Sequence, residues 1–129
     1  MKYLLLIYGD EQALSPAEYQ ACYLESTQLA HDLAASGHFL ATAPLHAVAT
    51  ATSVRLREGK RVVTDGPFAK TREQLGGFFM IEAADLDEAV SIAARIPAAK
   101  WGTVEVRPVV EIPNLPPMGA APAVAGARS

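Results

Sequence analysis

Lys2-Tyr3-Leu4-Leu5-Leu6-Ile7-Tyr8-Gly9-Asp10 opens the chain, and Gly77-Phe78-Phe79-Met80-Ile81-Glu82-Ala83 answers it past the middle. Residues 2–8 leave no polar face, and Phe78–Ile81 form an apolar centre, so both runs read as strands buried on two sides. Each is followed by a helix signal. Ser15-Pro16-Ala17-Glu18 is a capping box with proline at the first helical position, and Gly37 stops that helix after Ser36. Tyr19, Cys22, Tyr23, Leu29, Ala30 and Leu33 make its apolar stripe, while Glu18, Glu25 and Asp32 recur every seven residues on the outer side. Asp85 caps the second helix with Glu88 completing a box, and Pro97 ends it. The expected buried stripe there is Leu86, Ala89, Val90, Ala93 and Ile96.

The remaining segments complete the order. Residues 38–45 read as a strand ending near Pro44. Residues 52–57 alternate apolar and polar, Glu58-Gly59 is a two-residue turn, and residues 61–64 return as the partner strand. Residues 103–111 form the last strand. Strand, helix, strand, hairpin, strand, helix, strand is two β-α-β halves with a hairpin between them. That order gives an α+β fold, a ferredoxin-like sandwich with both helices on one sheet face. The other face is apolar too, and the sheet of a second copy would cover it, so a homodimer is expected. Residues 1–112 constitute the domain. Residues 113–129, rich in proline and alanine and without periodicity, read as a tail unable to bury enough surface to order itself.

Composition narrows the function. A formal charge of −3 over 129 residues supplies no phosphate-neutralising patch, so direct nucleic-acid binding is not expected. The apolar run at the N-terminus is too short for a membrane span or a secretory h-region, and the chain reads as cytoplasmic. The single cysteine rules out an intrachain disulfide, and three scattered histidines offer no metal-ligand spacing. Neither a metal nor an organic cofactor is expected.

The chemically loaded segment is Asp65-Gly66-Pro67-Phe68 through Glu73-Gln74-Leu75-Gly76-Gly77-Phe78, longer than a plain hairpin connection needs. Gly66-Pro67 fixes the backbone after Asp65. Its carboxylate reads either as a general acid or base or as an acceptor of backbone N–H groups in its own turn. Arg72 and Glu73 read either as an anion-binding and acid/base pair or as solvated loop. Lys70 is the more ordinary surface residue. Gly76-Gly77 marks a close backbone approach or a bulge. Ser26 interrupts the apolar stripe of the first helix; it either bonds back to the carbonyl four residues earlier or lines a polar cavity. His46 follows Pro44-Leu45 at a strand end and is the one histidine placed for a site. His31 belongs to the surface, His38 to the end of the first helix, Cys22 to the core, and Trp101 and Tyr23 to core or interface.

Several of these stretches together resemble the YCII-related proteins of the DGPF type. They are residues 1–9, Ala49-Thr50-Ala51-Thr52-Ser53-Val54-Arg55, Asp65-Gly66-Pro67-Phe68-Ala69, Glu73–Phe78 and Val104-Glu105-Val106-Arg107-Pro108. The resemblance covers residues 1 to about 112. It implies a dimeric α+β barrel and, by genomic neighbourhood, a link to extracytoplasmic-function sigma factors. Some relatives in the wider group use a His–Asp pair in the dimer cleft, and one branch dehydrochlorinates a chlorinated hydroxyquinol. The matching position on the first helix is Ser26 here, so that pair does not carry over. The expectation is a small-molecule cleft between helices and sheet, lined by Ser26, Asp65, Arg72 and Glu73. Asp65 or Glu73 would act by acid/base chemistry on a small polar or aromatic compound. The alternative is a non-catalytic module that binds a metabolite or a protein.

Overall fold

The computed structural model describes residues 1–118. Its elements in chain order are β1 (Lys2–Gly9), α1 (Pro16–Ala35), β2 (Phe39–Pro44), β3 (Thr52–Arg57), β4 (Lys60–Asp65), β5 (Gln74–Glu82), α2 (Leu86–Ala93) and β6 (Thr103–Pro108). Short 3₁₀ turns, Val48–Thr50 and Pro97–Lys100, precede β3 and β6. The main sheet is antiparallel in the order β2-β5-β1-β6, and β3 pairs only with β4. The two central strands are the two apolar runs, and the fold is the α+β ferredoxin-like sandwich expected from the element order.

The local signals act as chemistry requires. The Ser15 hydroxyl accepts the Glu18 N–H at 3.2 Å, and the Glu18 carboxylate accepts the Ser15 N–H at 2.8 Å. At the other end of α1, Gly37 takes a φ of +82°, the Gly37 N–H bonds the Ala34 carbonyl and the His38 N–H bonds the Leu33 carbonyl. These are the two bonds of a left-handed helix stop. Glu58 and Gly59 both have positive φ, 52° and 75°, the twist that suits a two-residue hairpin.

One core forms between the helices and the sheet. Tyr3 and Leu5 of β1, Phe79 and Ile81 of β5, Leu29 and Leu33 of α1 and Ala89, Ile92 and Ala93 of α2 are all buried. The opposite sheet face carries Leu4 beside Met80 and Leu6 beside Phe78, all half-buried. Arg107 and Glu105 stand next to Leu4 and Leu6 on β6.

The structure departs from the sequence reading in β5, α2 and β6. β5 begins at Gln74 rather than Gly77, because Gly76 is a bulged residue: Ile7 pairs with Gly77 and Tyr8 with Leu75. Gly77 meets β2 so closely that a Cβ would lie 2.9 Å from the Ala43 carbonyl oxygen. Thus both glycines serve the sheet itself. α2 stops at Ala93, and Ile96 leads into the 3₁₀ turn that Pro97 opens. The face it buries is Ala89, Ile92, Ala93 and Ile96, one helical stripe, leaving Leu86 and Val90 exposed. The Glu88 carboxylate accepts the Ala84 N–H, one residue before the cap, while Asp85 accepts the Glu88 N–H. β6 ends at Pro108, which lacks the N–H needed to extend the ladder. Residues 113–118 are exposed and without helix or strand; the rest of the expected tail, 119–129, lies outside the described residues.

Candidate functional site

A cavity of about 340 Å³ opens between α1, the end of the sheet and the turn before β6. That volume is in the range that takes a small organic molecule. One turn after another, Tyr19, Cys22 and Ser26 of α1 supply its roof. Ile7, Thr42 and Phe79 share the helix-facing side of the sheet and form its floor. Trp101 closes one end, against Gly9: a Cβ there would lie 2.2 Å from the indole ring. The ring meets Tyr19 edge-on, centroids 6.1 Å apart.

Few polar groups reach this apolar wall, and several are occupied. The Tyr19 hydroxyl donates to the Glu11 carbonyl at 2.9 Å, and the Thr42 hydroxyl donates to the Phe78 carbonyl. Glu11 binds the neighbouring segments at two points. Its N–H donates to Gln74 Oε1 at 3.0 Å, and its carboxylate accepts the Val48 N–H at 2.9 Å. Burial, with the Glu11 charge second, pushes the Tyr19 hydroxyl above the ordinary tyrosine range, so it stays a neutral donor. Two groups are left over. Trp101 Nε1 is buried without a hydrogen-bond partner among the described residues. The Ser26 hydroxyl also makes no hydrogen bond there; the back-bond expected of it is made by its neighbour, Thr27 to the Tyr23 carbonyl at 2.8 Å. The serine hydroxyl is thus available to a polar substituent on an otherwise apolar guest, while the indole N–H has no surface open to the cavity or to solvent.

Of the site residues expected from sequence, Ser26, His46, Asp65, Arg72 and Glu73, only Ser26 lines this cavity. Asp65 is exposed at the end of β4, and its side chain makes no hydrogen bond among the described residues. The turn after it is held by other groups: the Gly66 N–H bonds the Ala51 carbonyl, and the Ser53 hydroxyl bonds the Gly66 carbonyl. Arg72 is exposed, and its backbone carbonyl accepts from Gln74 Nε2. The half-buried Glu73 accepts the Thr103 hydroxyl at 2.8 Å, which ties the start of β5 to the start of β6. His46 lines a separate shallow cleft with Pro67 and Leu75. No hydrogen bond or ion pair joins Asp65, Arg72 and Glu73 to one another among the described residues. His38 behaves as expected of a helix-end residue, bonding Ser36 and reaching Glu88 at 3.3 Å.

Glu11, Gln74 and Trp101 were not among the site residues expected from sequence. Glu11 carried one usable signal, a carboxylate two residues past the end of a central strand. Trp101 carried none, since a lone tryptophan is usually core. No cluster of three or more His, Cys, Asp or Glu side chains suited to a metal occurs among the described residues. No helix among them is long and apolar enough to cross a membrane.

Comparison with known proteins agrees with the fold. The YCII-related domain model matches residues 1–113. An uncharacterized protein of Rhizobium meliloti (strain 1021) is 36% identical over 118 residues, spanning 84% of this chain and 92% of that protein. Among solved structures, 5-chloro-2-hydroxyhydroquinone dehydrochlorinase from Burkholderia phenoliruptrix AC1100, in complex with 2,5-dihydroxybenzoquinone, superposes with a TM-score of 0.53. Identity to it is 16%, with 85% of this chain and 94% of that chain covered. The chain belongs to the YCII-related family, and the likeness to the dehydrochlorinase is one of fold.

Proposed function

We propose that this member of the YCII-related family binds a small, mostly apolar ring compound in the cavity under α1, with a polar substituent at the Ser26 hydroxyl and Trp101 at the closed end. One observation carries the reading: the Ser26 hydroxyl, without a hydrogen bond among the described residues, in the wall of an otherwise apolar cavity of about 340 Å³. A guest carrying an acceptor would pair that hydroxyl, a hydrogen bond worth about 0.5–1.5 kcal/mol net. The fold relative's complex with a hydroxylated quinone adds support for this class of guest.

Any chemistry in this site would be acid/base chemistry at Glu11, the one carboxylate that lines it among the described residues. The lining there includes no histidine, lysine or arginine. The protein is also proposed to be a homodimer. Leu4, Leu6, Phe78 and Met80 form an apolar centre on the sheet face turned away from the helices, suited to the same face of a second copy.

The indole N–H tests the binding reading directly. The chain has one tryptophan, so a proton–nitrogen correlation spectrum contains one indole signal. Titration with mono- and dihydroxybenzenes and with 2,5-dihydroxybenzoquinone is expected to move that signal saturably. A panel that leaves it unmoved contradicts the reading.

A further inference from the structure

The β3–β4 hairpin stands apart from the main sheet as a two-stranded sheet of its own. Its register pairs Val54 with Val63 and Leu56 with Arg61, so Val54, Leu56 and Val63 share one face with Arg61. The three apolar side chains are 61%, 70% and 56% exposed. The other face carries Arg55, Arg57 and Lys60, with Arg55 stacked over Phe68 at 4.4 Å. An isolated two-stranded hairpin is marginal in water, and an exposed apolar strand face invites pairing. This hairpin is nevertheless well specified, with a full ladder of six pairs and a turn of the favoured twist. A specified hairpin with an uncovered apolar face is built to be covered.

Charge points to the cover. Residues 52–72 hold six Lys and Arg against two Asp and Glu, a net of +4, in a chain whose formal charge is −3. The rest of the chain therefore carries −7. A hairpin that is basic and apolar is complementary to the acidic body of this same protein. A polyanion would engage the Arg55–Arg57–Lys60 face and leave the valines and leucine in water. We propose that the hairpin is an inter-subunit arm. Its Val54–Leu56–Val63 face packs on a second copy of the chain, with Arg61, which shares that face, set against that copy's acidic surface.

The inference rests on the homodimer proposed above, and the test separates the two. In full-length protein with Cys22→Ser, Leu56→Cys provides a single thiol on the arm. Leu24→Cys, on the outward face of α1 where Leu24 is 72% exposed, provides a control. Maleimide labelling is followed at concentrations above and below the dimer dissociation constant, set by analytical ultracentrifugation. Leu56→Cys is expected to label about tenfold more slowly in the dimer than in the monomer, with Leu24→Cys unchanged. A second variant, Arg61→Glu on the packed face, is expected to weaken the dimer about tenfold at low salt and by less at high salt. A stable dimer in which Leu56→Cys labels at the monomer rate overturns the arm and leaves the sheet-face dimer standing. A monomer at all concentrations overturns both. Protection of Leu56→Cys only after addition of nucleic acid overturns the second copy as its occupant.

Discussion

The connection from Asp65 to Glu73 holds two acids and two bases within nine residues, yet Asp65, Lys70 and Arg72 are exposed and Glu73 is committed to Thr103. The cavity under α1 has one carboxylate in its lining, but its walls are mostly aromatic and aliphatic, Trp101 closes one end, and the Ser26 hydroxyl in it makes no hydrogen bond among the described residues. Charge density and apolar surface have separated. Charged groups in water interact weakly and are already solvated, whereas a single uncompensated polar atom against an apolar wall is a strong demand for a partner. In this molecule the apolar cavity is the better candidate for recognition, and the charged loop is better placed to meet another surface.

The largest expected effect is on the cavity floor. Phe79→Ala removes a ring that is 1% exposed and should cost about 3–5 kcal/mol in urea unfolding. Phe68→Ala, in the loop region and 73% exposed, should cost less than about 1 kcal/mol in the dissociated protein. Near-equal losses would break the contrast. Gly9→Ala comes next. Its methyl would overlap the Trp101 ring, so a loss of about 1–3 kcal/mol is expected, along with a displaced indole signal. Gly76→Ala, whose Cβ would meet nothing closer than 3.9 Å, should be far milder.

A smaller effect concerns pH. The Ala84 N–H, and then His38, hold the Glu88 carboxylate below its ordinary range. A carboxylate lowered on folding stabilises above its unfolded pKa of about 4.3, and that contribution is lost as pH falls through the lower folded value. The N-terminal ammonium lowers Glu82 in the same sense. Stability should therefore fall on acidification below about pH 4.3, and Glu88→Gln should flatten the slope measured by denaturant titration at successive pH values. The smallest effect belongs to the loop: Arg72→Ala should change stability by no more than about 0.5 kcal/mol.

How far the sequence could be read follows the range of each interaction. Ser15 to Glu18, Leu33 to His38 and Glu58-Gly59 are local devices, closed within a few residues, and each appears where its residues announce it. The strand order followed because two apolar runs had to be central. α2 was drawn too long because Ile96 keeps helical phase with Ala89 and Ala93 although it belongs to the turn that Pro97 opens. The cavity was legible only through Ser26, an oddity on an apolar stripe. Glu11, Gln74 and Trp101 reach it from three separate segments, and their meeting is a tertiary fact with no local signature. Asp65 looked like a site because its flanking turn is specified, but Ser53 and Ala51 specify that turn without using its carboxylate.

The most direct test sets Ser26→Leu against Asp65→Asn in titration calorimetry, using the hydroxylated ring compound that moves the Trp101 signal most. Ser26→Leu fills part of the cavity and removes its free hydroxyl, so it should lose at least about tenfold in affinity while remaining as stable as the parent. Asp65→Asn should bind like the parent. Unchanged binding in Ser26→Leu together with lost binding in Asp65→Asn would contradict the account and return the site to the charged loop.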